Sequence, residues 1–175
     1  MTQSFPEARP AVFFDRDGVL NTDKGYVYKE TDFEWTHTAK EAVGLANAKG
    51  YLAIVITNQS GIARGYYTIA DMDRLHQWMN TELARVGARI DAFYACPYHD
   101  EGNQPEFIVS NHPDRKPNPG MILRAAAEHN INLGKSFLIG DKPSDIEAAN
   151  RAGVASVLFS GGDLYAALDE WLQKS

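Results

Sequence analysis

Five short apolar runs punctuate this chain, and none of them alternates with polar residues. They are AVFF (Ala11 to Phe14), YLAIVI (Tyr51 to Ile56), AFYAC (Ala92 to Cys96), SFLI (Ser136 to Ile139) and ASVLF (Ala155 to Phe159). A strand solvated on one face alternates, so unbroken runs predict strands buried on both faces. Segments of helical periodicity lie between and after them: Lys40 to Lys49, Ile69 to Val86, Gly120 to His129, Ile146 to Ala152 and Leu164 to Gln173. That order predicts an α/β chain with a parallel sheet and helices on both faces. Thr68 followed by Asp71 reads as a capping pair, and Gly50, Gly87 and Gly153 read as helix stops.

With 175 residues the chain fits one domain, spanning 1–175, with no internal repeat. The formal charge of −6 and pI near 5.3 argue against a nucleic-acid partner, whose binders usually carry a clustered basic excess. Any anionic ligand must therefore meet local positive charge. Cys96 is the only cysteine, which excludes an intrachain disulfide and a thiolate-rich metal cage. The opening MTQSFPEARP lacks a leader pattern, and no apolar run approaches the roughly 20 residues that span a bilayer. The expectation is a cytoplasmic protein with no membrane partner. The polar, proline-rich stretch from Tyr98 to Pro119 is too long for a routine connection, and such loops are often functional.

In an open parallel sheet, ligands bind outside the carboxyl ends of the strands. After AVFF comes Asp15 in DRDG, after LAIVI comes Thr57 in TNQSG, and after SFLIG comes Asp141 in DKPSD, with Lys116 in the loop before that last strand. Asp15 and Asp17, at i and i+2 of an extended segment, face the same way and repel unless a cation or a shared proton sits among them. Asp141 adds a third carboxylate. Hard oxygen ligands without clustered imidazoles or thiolates suit Mg²⁺, and Gly18 permits a sharp turn after the pair.

FFDRDGVLN, VITNQSGIARG, RKPNPGM and LIGDKPSDIEAA resemble the four motifs of the haloacid dehalogenase superfamily of phosphatases. More narrowly, the chain is similar to the branch containing heptose 1,7-bisphosphate and histidinol-phosphate phosphatases, from about Ala11 to Ser160. The resemblance implies a three-layer, Rossmann-like sheet. The short gap between the first two motifs leaves no room for a large cap domain. It also implies Mg²⁺-dependent removal of the C7 phosphate of a heptose 1,7-bisphosphate, on the way to a nucleotide-activated heptose. The alternatives are histidinol-phosphate hydrolysis, a nucleic-acid end phosphatase disfavoured by the charge, and a catalytically silent binding protein on the same fold.

The resemblance also implies roles. Asp15 matches the nucleophile that forms an aspartyl-phosphate, and Asp17 matches the acid/base. Thr57 and Lys116 match groups that stabilise the transferring phosphoryl. Asp15, Asp17 through its carbonyl, and Asp141 match the Mg²⁺ ligands, with Asp145 behind them and Lys142 holding Asp145 or a nearby carboxylate. Asp23, Lys24, Gly25, Tyr26, Asn58, Gln59, Ser60 and Arg115 match substrate contacts, with Asn58 reading equally as closing the turn after the second strand and Tyr26 as packing over the loop. Arg64 divides evenly between a substrate contact and a surface ion pair. His37, His76 and His129 read as surface or boundary residues.

Many members of this branch hold the long loop with a zinc bound by a Cys-x-His and a Cys-x-Cys pair. Here the matching positions are Cys96, Tyr98, His112 and Asp114, so the expectation is a loop without structural zinc. Packing of Phe107, Ile108 and Val109 must then hold it. The partner implied is a small phosphorylated sugar, and the expected state is a monomer.

Overall fold

The computed structural model describes residues 7–174, so the first six residues of MTQSFPEARP lie outside it. Five strands form one parallel sheet: β1 (Ala11–Phe14), β2 (Leu52–Asn58), β3 (Ala92–Cys96), β4 (Phe137–Gly140) and β5 (Ala155–Leu158). Their order is β3-β2-β1-β4-β5, which places β1 at the centre. The helices are α1 (Ala39–Ala48), α2 (Ile69–Ala84), α3 (Gly120–His129), α4 (Pro143–Ala152) and α5 (Leu164–Lys174).

The period of two along β1 builds both outer layers. Val12 and Phe14 pack with Ala42 and Val43 of α1, Leu75 and Met79 of α2 and Leu164 and Leu168 of α5. Ala11 and Phe13 point the other way, into the layer made by Met121 and Ile122 of α3 and Ala148 and Ala149 of α4. β2 and β4 repeat the pattern in register, with Phe13 opposite Ile54 on one side and Leu138 on the other. All four residues of β1 are fully buried. Truncating Phe13 or Phe14 to alanine is therefore expected to cost about 3–5 kcal/mol.

Two expectations are corrected here. The last strand is not buried on both faces: β5 is an edge strand whose Val157 and Leu158 are exposed. Apolar composition looks the same whether or not a layer covers it. Helix α4 begins at Pro143 rather than near Ile146, because proline is favoured in a first helical turn, where its missing N–H costs nothing.

The chain runs outward from β1 to β3, then crosses back to β4 on the other side. The crevice at such a reversal is where ligands of open α/β sheets sit. Between β1 and β2 lie only a 3-10 turn (Glu30–Asp32) and α1, so no large cap domain covers it. Among the described residues no helix is long and apolar enough to cross a membrane.

Candidate active site

The carboxyl ends of β1 and β2, with the turn after β4, open onto a cleft of 630 Å³. Asp15 follows the last residue of β1, and its backbone N–H donates to Ile139 O at 3.0 Å, prolonging the sheet into the site. Lys116 is buried beside it. Lys116 Nζ lies 2.9 Å from Asp15 Oδ1 and 2.6 Å from Asp145 Oδ1, and donates to Ile56 O at 3.0 Å. Burial alone would lower the Lys116 pKa, but Asp15 and Asp145 outweigh it and raise the pKa, so the ammonium stays charged. For Asp15, burial dominates. Against the pull of Lys116, and with Asp145 and Asp17 adding negative charge, its pKa rises to about 7.

Asp17 has the opposite balance. Burial would raise it, but Arg16 and hydrogen bonds from Asn21, Arg16 and Gln59 hold it below the usual carboxylate range. Arg16 Nη2 reaches both carboxylate oxygens, at 3.1 and 3.0 Å. Asn21 Nδ2 donates to Oδ1 at 3.0 Å and Gln59 Nε2 to Oδ2 at 2.9 Å. Gln59 Nε2 also donates to Thr57 Oγ1 at 2.8 Å, and its Oε1 accepts from Tyr67 Oη. One amide thereby links both motif-bearing strand ends.

Asp141, in the turn after β4, has a buried Oδ1 with no hydrogen-bond partner. Ligand oxygens of Asp15, Asp141 and Asp145 all lie within 4.8 Å of one another. An orphaned carboxylate oxygen in an all-oxygen cluster fits a hard divalent cation such as Mg²⁺. Asp145 is already engaged, by Lys116 at one oxygen and at the other by Lys142 N, which donates to Oδ2 at 2.9 Å. Two glycines make room for these carboxylates. A Cβ on Gly18 (φ +93°) would stand 2.1 Å from Asp141 Oδ2, and one on Gly140 2.2 Å from Asp145 Cβ.

The structure brings Asp15, Asp17, Thr57, Lys116 and Asp145 into the lining of one cleft, together with Asp23, Gly25 and Tyr26. Asn58, Gln59, Ser60 and Arg115 also line the cleft, and Arg115 Nη1 donates to Tyr98 O at 3.2 Å. Lys24 and Arg64 are not on its wall. Lys24 is drawn to Glu34 at 2.9 Å, and Arg64 to Glu101 at 3.8 Å. The Lys142 side chain reaches Asp23 at 3.6 Å, across the cleft, rather than Asp145.

At the loop positions matched to zinc ligands, Tyr98 stacks on His112 with ring centroids 4.0 Å apart, and Asp114 pairs with Arg124 at 2.9 Å. Phe107 packs against Tyr98. His76 corrects the surface reading: it is buried, stacked on Phe93, with Nε2 at 3.2 Å from Arg16 Nη1. Arg16, Asn21, Tyr67 and His76 escaped the sequence reading. The one available signal was Arg16 itself, an arginine between two carboxylates on a strand that must alternate sides.

A HAD-hydrolase-like family model matches residues 114–171. The chain is 49% identical over 148 residues to the D-glycero-alpha-D-manno-heptose-1,7-bisphosphate 7-phosphatase of Burkholderia mallei, covering 85% of this chain and 78% of that one. It is 44% identical over 164 residues to the D-glycero-beta-D-manno-heptose-1,7-bisphosphate 7-phosphatase of Rhodopseudomonas palustris, covering 94% and 90%. Its fold superposes with a TM-score of 0.80 and 27% identity on the D,D-heptose 1,7-bisphosphate phosphatase of B. bronchiseptica, solved with magnesium and phosphate, covering 95% of this chain and 99% of that one.

Proposed function

Because the chain belongs to the haloacid dehalogenase-like phosphatases, alongside the heptose 1,7-bisphosphate 7-phosphatases, we propose that it removes the C7 phosphate of a D-glycero-D-manno-heptose 1,7-bisphosphate. The observation that carries this reading is the meeting of Asp15, Asp17, Thr57 and Lys116 in one cleft that Arg115 also lines.

In this reading Asp15 attacks phosphorus and the C7–O–P bond breaks, leaving an aspartyl-phosphate. Asp17 gives its proton to the departing C7 oxygen. It then takes a proton from the water that attacks the aspartyl-phosphate, and inorganic phosphate and free Asp15 result. The free site favours ionised Asp17, the base form. An anionic phosphate arriving beside it favours the acid form that the first step needs. Thr57 and Lys116 stabilise charge on the equatorial oxygens, and Asp145 fixes Lys116. Asp15, Asp141 and the Asp17 carbonyl would hold Mg²⁺, which supplies positive charge that keeps Asp15 ionised and offsets phosphoryl charge.

Asp23, Gly25, Tyr26, Ser60 and Arg115 face the sugar or its second phosphate, while Asn58 and Gln59 commit their side-chain amides to Lys116 and to Asp17 and Thr57. We read residues 1–175 as one domain, acting as a cytoplasmic monomer without nucleic-acid or membrane partners, in keeping with the acidic charge. The long loop is held by its aromatic stack and ion pair in place of zinc. The product, a heptose 1-phosphate, keeps the anomeric phosphate that nucleotide activation uses.

The test is phosphate release with Mg²⁺ from both anomers of the heptose bisphosphate and from histidinol phosphate, with phosphorus NMR locating the lost group. Preferred loss of the C7 phosphate is expected. Faster turnover of histidinol phosphate than of either anomer overturns the assignment.

A further inference from the structure

We propose that Arg16 is a positioning residue: its buried guanidinium orients the Asp17 carboxylate for proton transfer, and His76 of α2 braces it from behind. This rests on the acid/base reading of Asp17.

Arg16 is fully buried and is not part of the cleft wall, so it is not placed to touch substrate. A buried guanidinium is costly to keep, and apolar replacement of buried ion pairs is often neutral or stabilising. Stability alone therefore explains its presence poorly. Its partners point to the site instead. Nη2 contacts both oxygens of Asp17, donates to Val27 O at 2.6 Å and approaches Gln59 Oε1 at 3.3 Å. Val27 continues the segment that carries Asp23, Gly25 and Tyr26 to the cleft, and Gln59 touches Thr57.

Nη2 meets both Asp17 oxygens while Nη1 faces His76, and Asn21 on one oxygen and Gln59 on the other complete the hold on the carboxylate. A lysine ammonium offers a single nitrogen and cannot span from Asp17 to His76. On the far side, Arg16 has only donors to offer, so His76 must be neutral and accept at Nε2, carrying its proton on Nδ1. The ring is locked by its stack on Phe93, at 4.4 Å and 10°. The chain from Phe93 to His76, Arg16 and Asp17 thus anchors the proton donor in the core.

The signature to measure is leaving-group dependence, because kcat/KM stops at the first irreversible step, phosphorylation of Asp15. A sugar alkoxide needs protonation as it leaves, whereas p-nitrophenolate hardly does. Arg16→Lys is expected to lower kcat/KM on the heptose bisphosphate about 30- to 100-fold, mostly through kcat, but on p-nitrophenyl phosphate less than about 5-fold. His76→Phe, which keeps the ring stack but offers no acceptor, should show the same asymmetry at smaller size. His76→Gln, which restores an acceptor, should recover most of it. Thermal melts run beside each assay separate folding from chemistry, and His76→Phe carries the test if Arg16→Lys does not fold. Equal losses on both substrates, or no loss, overturn the positioning role. If the wild-type protein hydrolyses p-nitrophenyl phosphate but not the bisphosphate, the substrate assignment fails instead.

Discussion

Asn58 and Lys116 grip each other twice: Asn58 Nδ2 donates to Lys116 O at 3.1 Å, and Lys116 N donates to Asn58 Oδ1 at 3.1 Å. The side-chain amide imitates a strand partner and docks the loop before α3 onto the end of β2. It places the Lys116 ammonium against Asp15 without any element of regular structure at Lys116 itself. Asn58→Ala is expected to cost about 1–3 kcal/mol of stability, since a part-buried donor and acceptor both lose their partner. It should also lower kcat on every phosphate ester alike. Urea unfolding and steady-state kinetics on two unlike esters check both parts, and a selective loss on one ester would contradict the docking role.

Gly18→Ala probes the carboxylate cluster from outside it. The new Cβ would stand 2.1 Å from Asp141 Oδ2, at a backbone φ of +93°. Asp141 must move, so half-saturation by Mg²⁺ is expected to rise about 10- to 100-fold, the usual penalty for disturbing a ligand's support. Calorimetric titration of Mg²⁺ into the metal-free protein reads this without relying on turnover.

Arg115→Ala tests the proposed bisphosphate substrate by separating its two phosphates. The residue lines the cleft and is held by Tyr98 O. Losing a charge-assisted contact to a second phosphate should lower kcat/KM on the bisphosphate about 10- to 100-fold. Hydrolysis of p-nitrophenyl phosphate, which has no second phosphate, should change only a few-fold. Equal factors would move Arg115 to the transferring phosphoryl.

Acid sensitivity should trace in part to His76. Burial, with the Arg16 charge beside it and only partial relief from Asp17, drives its pKa down to about 3. In the unfolded chain the ring takes a proton near pH 6.5. The contribution of neutral His76 is therefore whole above that pH. It falls by about 1.4 kcal/mol per unit as pH drops toward 3, where the folded form also protonates. Between pH 7 and 5 the wild type should lose about 2 kcal/mol more than His76→Gln, measured by urea midpoints at both pH values.

The centre of the sheet was legible because β1 is covered on both faces and its sequence says so without interruption. The strand-end rule points to Asp15, Thr57 and Asp141 from the sequence alone. At the edge the same logic failed, since Val157 and Leu158 are apolar yet exposed. Arg16 and His76 stayed hidden for a different reason. Their meaning lies in one contact between residues sixty positions apart, and neither has a local pattern that announces burial. Lys24 has the right charge in the right segment, but nearby Glu34 draws it aside, and Arg64 makes with Glu101 the ion pair that was one of its two readings.

The alternation along β1 has a consequence for how this protein can change. Val12 and Phe14 share one face, and Arg16, two residues further, reaches His76 of α2 in that same layer. A one-residue deletion within β1 would exchange the contents of both helix layers and also set a guanidinium where the carboxylate of Asp15 stands. Folding and chemistry thus share a single point of failure, and a lineage can vary this strand only by substitution. Asp23, Gly25, Tyr26 and Arg115, which also line the cleft, hang on turns and loops outside that constraint. New ester preferences can accumulate there while the reacting atoms keep their places.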